Sequence, residues 1–501
     1  MRQHRSALAL PLFLAGCATS AIEMAPERPD RPWRPAVTSG GEIVAGSRSN
    51  SSAGASGYIL PANPALSVVV PPPTLDDARP YSLAELIDIA ESTNPRTRIA
   101  WDEARRVALA AGIAKSTYLP KVTATAVSGY QHSNGSTTET AHGTVEAASL
   151  LWLLFDFGER QAVVEAANQA SVISNIAFTA AHQQLIYDVS VAFYANAAAQ
   201  ARVATASESL KNARTVEAAA DDRYKHGIGT VIEVAQARQA TAQANLALVQ
   251  ATGGAQDSYI TLITAMGISP LTKIKIADVS GRRLSASMVA PVETIIAQAL
   301  SRRPDVLSAY AAEKASLANV RAANAEFMPK VFVSATASHN SGNLRISSLP
   351  GLGDQSPTLN VDSNRTGGVI VAGVTVPLFD GGRRSAQLAQ ARAAADGAKA
   401  RLSEVQDDAV KQIAVADNAL RTSLESVSAA EALVAAAQTT FDAALGAYSS
   451  GVGSITDVTI AETQLLQARN AATDAYSTAL SAAATLALAT GALGSAPDYG
   501  R

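Results

Sequence analysis

Cysteine is all but missing from this 501-residue chain, whose one copy is Cys17. That excludes a disulfide framework and a cysteine-built metal cluster. Aromatic residues make up only 5%, which is low for one large globular core. Neither sign of charge is in excess, with 40 basic and 43 acidic residues, so nothing points to a nucleic-acid partner. After residue 17 no apolar run reaches the roughly 18 residues that read as a membrane helix. Proline is absent between Lys121 and Ser269 and again between Leu378 and Ala496. The sequence has no Gly-x-x-x-x-Gly-Lys-Ser/Thr, no His-Glu-x-x-His and no Gly-x-Ser-x-Gly, and its six histidines form no ligand pair. These absences argue against an enzyme and give no reason to expect a cofactor or metal site.

What the chain does contain, it contains twice. Moved by 224 positions without a gap, Leu154, Phe155, Asp156, Gly158 and Arg160 fall on Leu378, Phe379, Asp380, Gly382 and Arg384. The same shift carries Tyr224, Gly227 and Gly229 onto Tyr448, Gly451 and Gly453, and Glu233 onto Asp457. Upstream the shift is 209: Ile87, Ala90, Ser92, Pro95 and Ala100 match Ile296, Ala299, Ser301, Pro304 and Ala309. Two long copies imply an internal duplication over most of residues 81–491, not a solenoid.

Each copy reads as a very long helix, a tight turn and a second helix. Proline-free stretches rich in Ala, Gln, Glu and Leu favour helix, and Asp156 to Tyr224 would span about 100 Å. Abundant Ala lets such helices approach closely, as in a coiled coil. Gly227 and Gly451 stand where a left-handed residue ends a helix. Thr230 with Glu233, and Ser454 with Asp457, have the spacing of a capping box that restarts one. The units are antiparallel helical hairpins with tips near 227 and 451.

The ends and joints read differently. Arg2 and Arg5, the apolar Ala7–Leu14 and the run Leu14-Ala15-Gly16-Cys17 have the form of a secretory signal over 1–16. Small residues directly before a cysteine resemble the bacterial lipobox, which implies a lipid on Cys17. Residues 17–80 are a Pro-rich tether. Strand-like alternation appears only at about 120–131 and 329–339, with returning strands at about 144–155 and 366–379. The segments between, 130–143 and 339–365, are expected to be polar loops. Each strand is near the roughly ten residues that cross a bilayer when tilted. Four strands cannot close a transmembrane barrel, so several chains would have to pool them.

The duplicated order is helix, break, helix, Pro-Lys, two strands, Leu-Phe-Asp-x-Gly, long helix, Tyr-x-x-Gly and an acid six residues after the glycine. It resembles the TolC-type outer-membrane efflux factors over residues 81–491. The resemblance implies a mainly α fold with a small β part. It implies a homotrimer whose helices form a hollow α-barrel and whose twelve strands form one transmembrane β-barrel. It divides the chain into repeats 81–291, with a belt segment after residue 268, and 292–491, followed by a tail of 492–501. It also implies an exit duct of a tripartite efflux or type I secretion system, serving an inner-membrane transporter and recruited through a periplasmic adaptor that docks at the tips, around Gly227, Thr230, Gly451 and Ser454. Lipid of the outer membrane would surround the strands.

In that family a tyrosine and an acid of the inner hairpin constrict the entrance, and they correspond to Tyr448 and Asp457. Glu233 holds the acid position of the other hairpin, where the family type pairs an Asp with an Arg. That Arg position is Gly453 here, and a second inner acid position is Ile460. The inter-hairpin ion pair is therefore expected to be lacking unless Lys225 or another base substitutes. Capping alone also accounts for Glu233 and Asp457. The alternative from another class is a lipid-anchored, periplasmic coiled-coil structural or adaptor protein without a pore.

Overall fold

The computed structural model describes residues 28–30, 33, 35–48, 58–67, 75–134, 138–278, 292–342, 346–348, 359–361 and 366–494. Cys17 and the signal expected before it lie outside the described residues. The chain divides into two compact units, Met1–Pro73 and Thr74–Arg501. The first contains an antiparallel pair, β1 (Pro35–Val37) and β2 (Ile43–Arg48), and a short 3-10 turn at Pro64–Ser67.

The second unit begins with β3 (Pro80–Tyr81), α1 (Leu83–Thr93) and α2 (Pro95–Ser116). The hairpin β4 (Lys121–Asn134) and β5 (Thr138–Phe155) leads into α3 (Glu159–Lys225) and α4 (Val231–Ala265). After β6 (Lys275–Ile276), which pairs in parallel with β3, come α5 (Val292–Leu300) and α6 (Pro304–Ala325). The chain continues through β7 (Lys330–Gly342), the short pair β8 (Ile346–Ser348) and β9 (Leu359–Val361), and β10 (Thr366–Thr375). It closes with α7 (Arg383–Ser449) and α8 (Ile455–Ala489). Helices α3 and α7 both have 67 residues, α4 and α8 both 35, and α2 and α6 both 22. A 67-residue helix is about 100 Å long.

Small side chains at seven-residue spacing bring these helices together. Ala199, Ala206, Ala213 and Ala220 of α3 are all buried, as are Ala237 and Ala244 of α4 and Ala461 and Ala468 of α8. A 3.5-residue period of apolar positions is the requirement for helices that wind about one another. Larger side chains collect at two places. Leu86, Ile87, Leu185, Ile186, Phe193, Leu262, Ile263 and Met266 form a core where α1 meets the long helices. Val216, Val234, Phe441, Tyr448, Ile455, Val458 and Leu465 form another at the tips.

The four long strands make one antiparallel sheet in the order β10-β7-β5-β4. The first hairpin runs further than its sequence suggests. Pairing continues past the expected loop start at Tyr130, through Tyr130↔His142 to Asn134↔Thr138. Gln, His, Thr and Glu there disguise the alternation, but a backbone ladder needs no apolar face. Conversely β10 stops at Thr375, short of the expected 379, since Pro377 offers no N–H. Opposed residues share a face. One face carries Val122, Leu150, Ala335 and Ile370 in one row and Ala124, Ala148, Ala337 and Gly368 in the next. This face is open, with Val122 66% and Ile370 79% exposed. The other carries Thr123, Ser149, Thr336 and Val369, then Thr125, Ala147, Ser338 and Gly367, and includes the buried Val145, Ala147 and Asn340.

The repeated Leu-Phe-Asp motif makes the joint from strand to helix. Asp156 accepts from the main-chain N–H of Arg160 at 2.9 Å and from its Nε at 2.8 Å. The same guanidinium donates to the carbonyls of Thr117, Leu153 and Leu154 and lies over the Tyr118 ring. Asp380 and Arg384 repeat this with the Pro377 carbonyl and the Phe327 ring. Each arginine ties the end of a strand to the first turn of a long helix.

Candidate functional site

The far ends of both hairpins are built by one local device. Gly227 and Gly451 take φ of +76° and +82°, the left-handed region that L side chains avoid. The N–H groups of Ile228 and Gly229 then both donate to the Arg223 carbonyl, and those of Val452 and Gly453 to the Ala447 carbonyl. This is the pattern that closes a helix through a left-handed glycine. Thr230 and Ser454 restart the chain as N-caps, accepting from Glu233 N and Asp457 N through their side chains.

The two acids then differ. The Asp457 carboxylate turns back to Ser454, accepting from its N at 3.3 Å and its Oγ at 2.8 Å, so the capping box is complete. The Glu233 carboxylate makes no such return. Its Oε2 is buried beside Tyr448. Tyr448 is only 1% exposed, and its buried Oη faces the Glu233 carboxylate. Burial, followed by the negative charge of Glu233, pushes the phenol's pKa up, while Arg223 opposes the shift.

The base that crosses between hairpins is not Lys225, which pairs with Asp221 of its own helix at 2.5 Å. It is Arg223. Its Nη1 donates to the Tyr448 carbonyl at 3.0 Å, and its guanidinium carbon lies 4.9 Å from the centre of the Tyr448 ring. Nη2 reaches the Ile228 carbonyl at 3.5 Å. Gly453, at the position of the family's arginine, cannot take one in this turn: a Cβ there would lie 2.9 Å from Tyr448 N and 3.0 Å from the Ala447 Cβ. Sequence reasoning passed over Arg223, although a signal was present. Its counterpart in the second copy is Ala447, so the repeats break symmetry beside the repeated tyrosine.

Together Tyr448, Glu233 and Arg223 form one inter-hairpin cluster. Asp457, Gly227, Thr230, Gly451 and Ser454 lie in the turns and first helical steps around it. None of this is a nucleophile–base arrangement. No helix among the described residues is long and apolar enough to cross a membrane, and the open apolar face belongs to the sheet.

Long hairpins tied tip to tip and rooted in such a sheet define the class: a duct protein of an outer membrane. A family model described as outer membrane efflux protein matches residues 86–268 and 295–492, and the chain belongs to that family. It is similar to protein CyaE of Bordetella pertussis, at 29% identity over 81% of this chain and 83% of that one. It is also similar to the outer membrane efflux protein BepC of Brucella suis, at 28% identity over 76% and 78%. The crystal structure of VceC from Vibrio cholerae shares the fold, with a TM-score of 0.69 and 22% identity over 82% of this chain and 96% of that one. The protein is thus an outer-membrane exit duct of tripartite efflux, and its homologues are outer-membrane components of systems that work with an adaptor and an inner-membrane transporter. The pore-less coiled-coil alternative gives way to this family.

Proposed function

We propose that three copies of the chain assemble into one duct, each giving β4, β5, β7 and β10 to a shared twelve-stranded barrel. The observation that carries this reading is the sheet itself. Its edge strands β4 and β10 have no further partner among the described residues, and one face presents Val122, Ile370 and Val374 to the surroundings. Hydrocarbon does not tolerate open strand edges, and four strands are too few to close on themselves.

In this reading the internal duplication, supported by the equal lengths of paired helices, gives each copy two hairpins, so that six of them wall the periplasmic duct. Residues 81–291 and 292–491 are the two repeats, 17–80 the tether and 492–501 a tail. Cys17, freed when residues 1–16 are cleaved, carries lipid in the outer membrane. The tips form the closed entrance, with Tyr448, Glu233 and Asp457 at the gate. Gly227, Thr230, Gly451 and Ser454 offer exposed turns for a periplasmic adaptor, and the cargo is handed over by the transporter. Three Asp457 carboxylates about a common axis make the mouth favour cations.

Single-channel recording in planar bilayers tests this, with wild-type protein beside Asp457→Ala. Small, cation-favouring pores whose selectivity weakens in the variant are expected. Pores unchanged by the variant would reduce Asp457 to a helix cap, and a folded protein without pores would remove the duct.

A further inference from the structure

The duplication repeats a cation–aromatic motif on α2 and α6. With the shift of 209, Trp101 falls on Tyr310 and Arg105 on Lys314. The guanidinium carbons of Arg98 and Arg105 each lie 4.5 Å from the centre of the Trp101 ring, and Lys314 Nζ lies 4.4 Å from that of Tyr310. The charge distribution of the π system attracts a cation there. A stacked guanidinium keeps its fork of N–H donors free at the edge, in the geometry that matches a carboxylate. Arg98 also pairs with Asp102 at 3.1 Å, whereas Arg105 and Lys314 have no carboxylate partner among the described residues. Trp101 is 38% and Tyr310 47% exposed. Helix α2 carries Arg96, Arg98, Arg105, Arg106 and Lys115 against Asp102 and Glu103, in a chain whose formal net charge is -3.

In the shared duct this motif faces outwards and lies clear of the membrane. Glu159 of α3 pairs with Lys330 at 2.6 Å, and Lys330 is on the sheet face of Thr336 and Ser338, opposite the open apolar one. On α3, Gln161 and Glu165 point about 200° and 240° away from Glu159. With Arg321, Asn324 and Met328 of α6 they line a cleft of about 560 Å³ on that outer side. Tyr310, Lys314 and Arg321 are spaced by four and seven residues, so they share one side of α6. Helix α6 is flanked by both α3 and α7 and still exposes this line. The equivalent line of α2 therefore stays open when a second copy covers its other side. Trp101 and Tyr310 each stand fifteen residues before the ends of their helices, Ser116 and Ala325. That is about 22 Å short of the strand joints, beyond a headgroup layer only about 5–8 Å deep.

We propose that Arg98, Trp101 and Arg105 of α2, with Tyr310 and Lys314 of α6, form a docking band for the carboxylate-bearing glycan–peptide mesh of the cell wall. The inference rests on the reading of the chain as one third of a shared duct, which sets six such sites at one height around it. A band of that form fits an extended layer with repeated carboxylates better than a single globular partner. The aromatic rings hold the cations extended, so less side-chain freedom is lost when a carboxylate is bound.

The test is co-sedimentation of the full-length, detergent-solubilised protein with purified, insoluble peptidoglycan sacculi. Wild type is expected to sediment with them, and less so as salt rises, since exposed charges are screened. Arg105→Glu combined with Lys314→Glu is expected to lower the sedimented fraction several-fold. Trp101→Ala, which frees both guanidiniums of α2, is expected to lower it in part. Lys399→Glu reverses an exposed charge sixteen residues into α7, at about the same height, and is expected to change nothing. If the double reversal does not assemble, Arg105→Gln with Lys314→Gln serves, and a smaller loss is expected. The band is overturned if wild type stays in solution, if the double variant sediments like wild type, or if Lys399→Glu loses as much. It is also overturned if short-chain phosphatidylglycerol binds wild type and not the double variant, which would make the band a lipid site. Wild-type protein that sediments in this charge-dependent way but forms no pores would uphold the band and overturn the duct.

Discussion

Glu462 is a carboxylate that the strand-to-helix joints do not use. It faces α3 from α8, is 7% exposed, and accepts one hydrogen bond, from Ser209 Oγ at 3.3 Å. Arg469, the basic side chain one heptad on, is engaged with Glu208 and Gln438. Burial therefore pushes the Glu462 carboxyl above the usual range, with Ser209 pulling weakly the other way. A pKa raised in the folded state gives stability that is fully present below the unfolded value and lost as pH rises through the folded one. At neutral pH the group opposes packing of α3 against α8. Glu462→Gln is expected to stabilise the protein by about 1–2 kcal/mol at pH 7, with the gain vanishing below about pH 4. Thermal melts followed by circular dichroism across that range check it, and a pH-independent gain would point to packing alone.

At the scale of elements, two joints of the same design differ in strength. Both Asp156 and Asp380 are held below the usual carboxylate range. For Asp156, burial works against ionisation and the Arg160 donors outweigh it, while Asp380 is held down first by the Arg384 guanidinium. The Asp156 side chain is 7% exposed and that of Asp380 23%. Removing one partner of a buried pair strands the other charge, at a cost of about 3–5 kcal/mol. Arg160→Ala is accordingly expected to destabilise the β5–α3 joint by that order, and Arg384→Ala to cost less. Hydrogen exchange at the first turns of α3 and α7 distinguishes the two, and equal protection losses would refute the ranking. A depressed carboxyl stabilises above its unfolded pKa, so the contribution is present above about pH 4 and is lost as pH falls through the folded value.

At the scale of the whole molecule, among the described residues one chain leaves the edges of its sheet unused and the apolar face of that sheet uncovered. In the proposed assembly lipid would meet the second condition and other copies of the chain the first. Light scattering of the purified protein in mild detergent is expected to give three chains per particle. One chain per particle in a sample with intact helix content would exclude the pooled barrel, because an open four-stranded sheet does not hold in a bilayer.

Local signals were legible in residues alone. A left-handed glycine at 227 or 451 needs only its own backbone, and a hydroxyl three residues before an acid needs only one turn of helix, so the hairpin tips could be placed without a structure. The repeat made the joint motif visible for the same reason, since Asp156 and Arg160 are neighbours on one helix turn. Tertiary structure alone decided what crosses between elements. It extended β4 and β5 past Tyr130, because a partner strand supplies the hydrogen bonds whatever the side chains are. It turned Glu233 away from its cap and towards Tyr448, while Asp457 stayed in its capping box. It also brought Arg223 to Tyr448, 225 positions away. A sequence carries periodicity and short-range geometry, but the distance between two helix ends is set by the packing of every alanine layer along them.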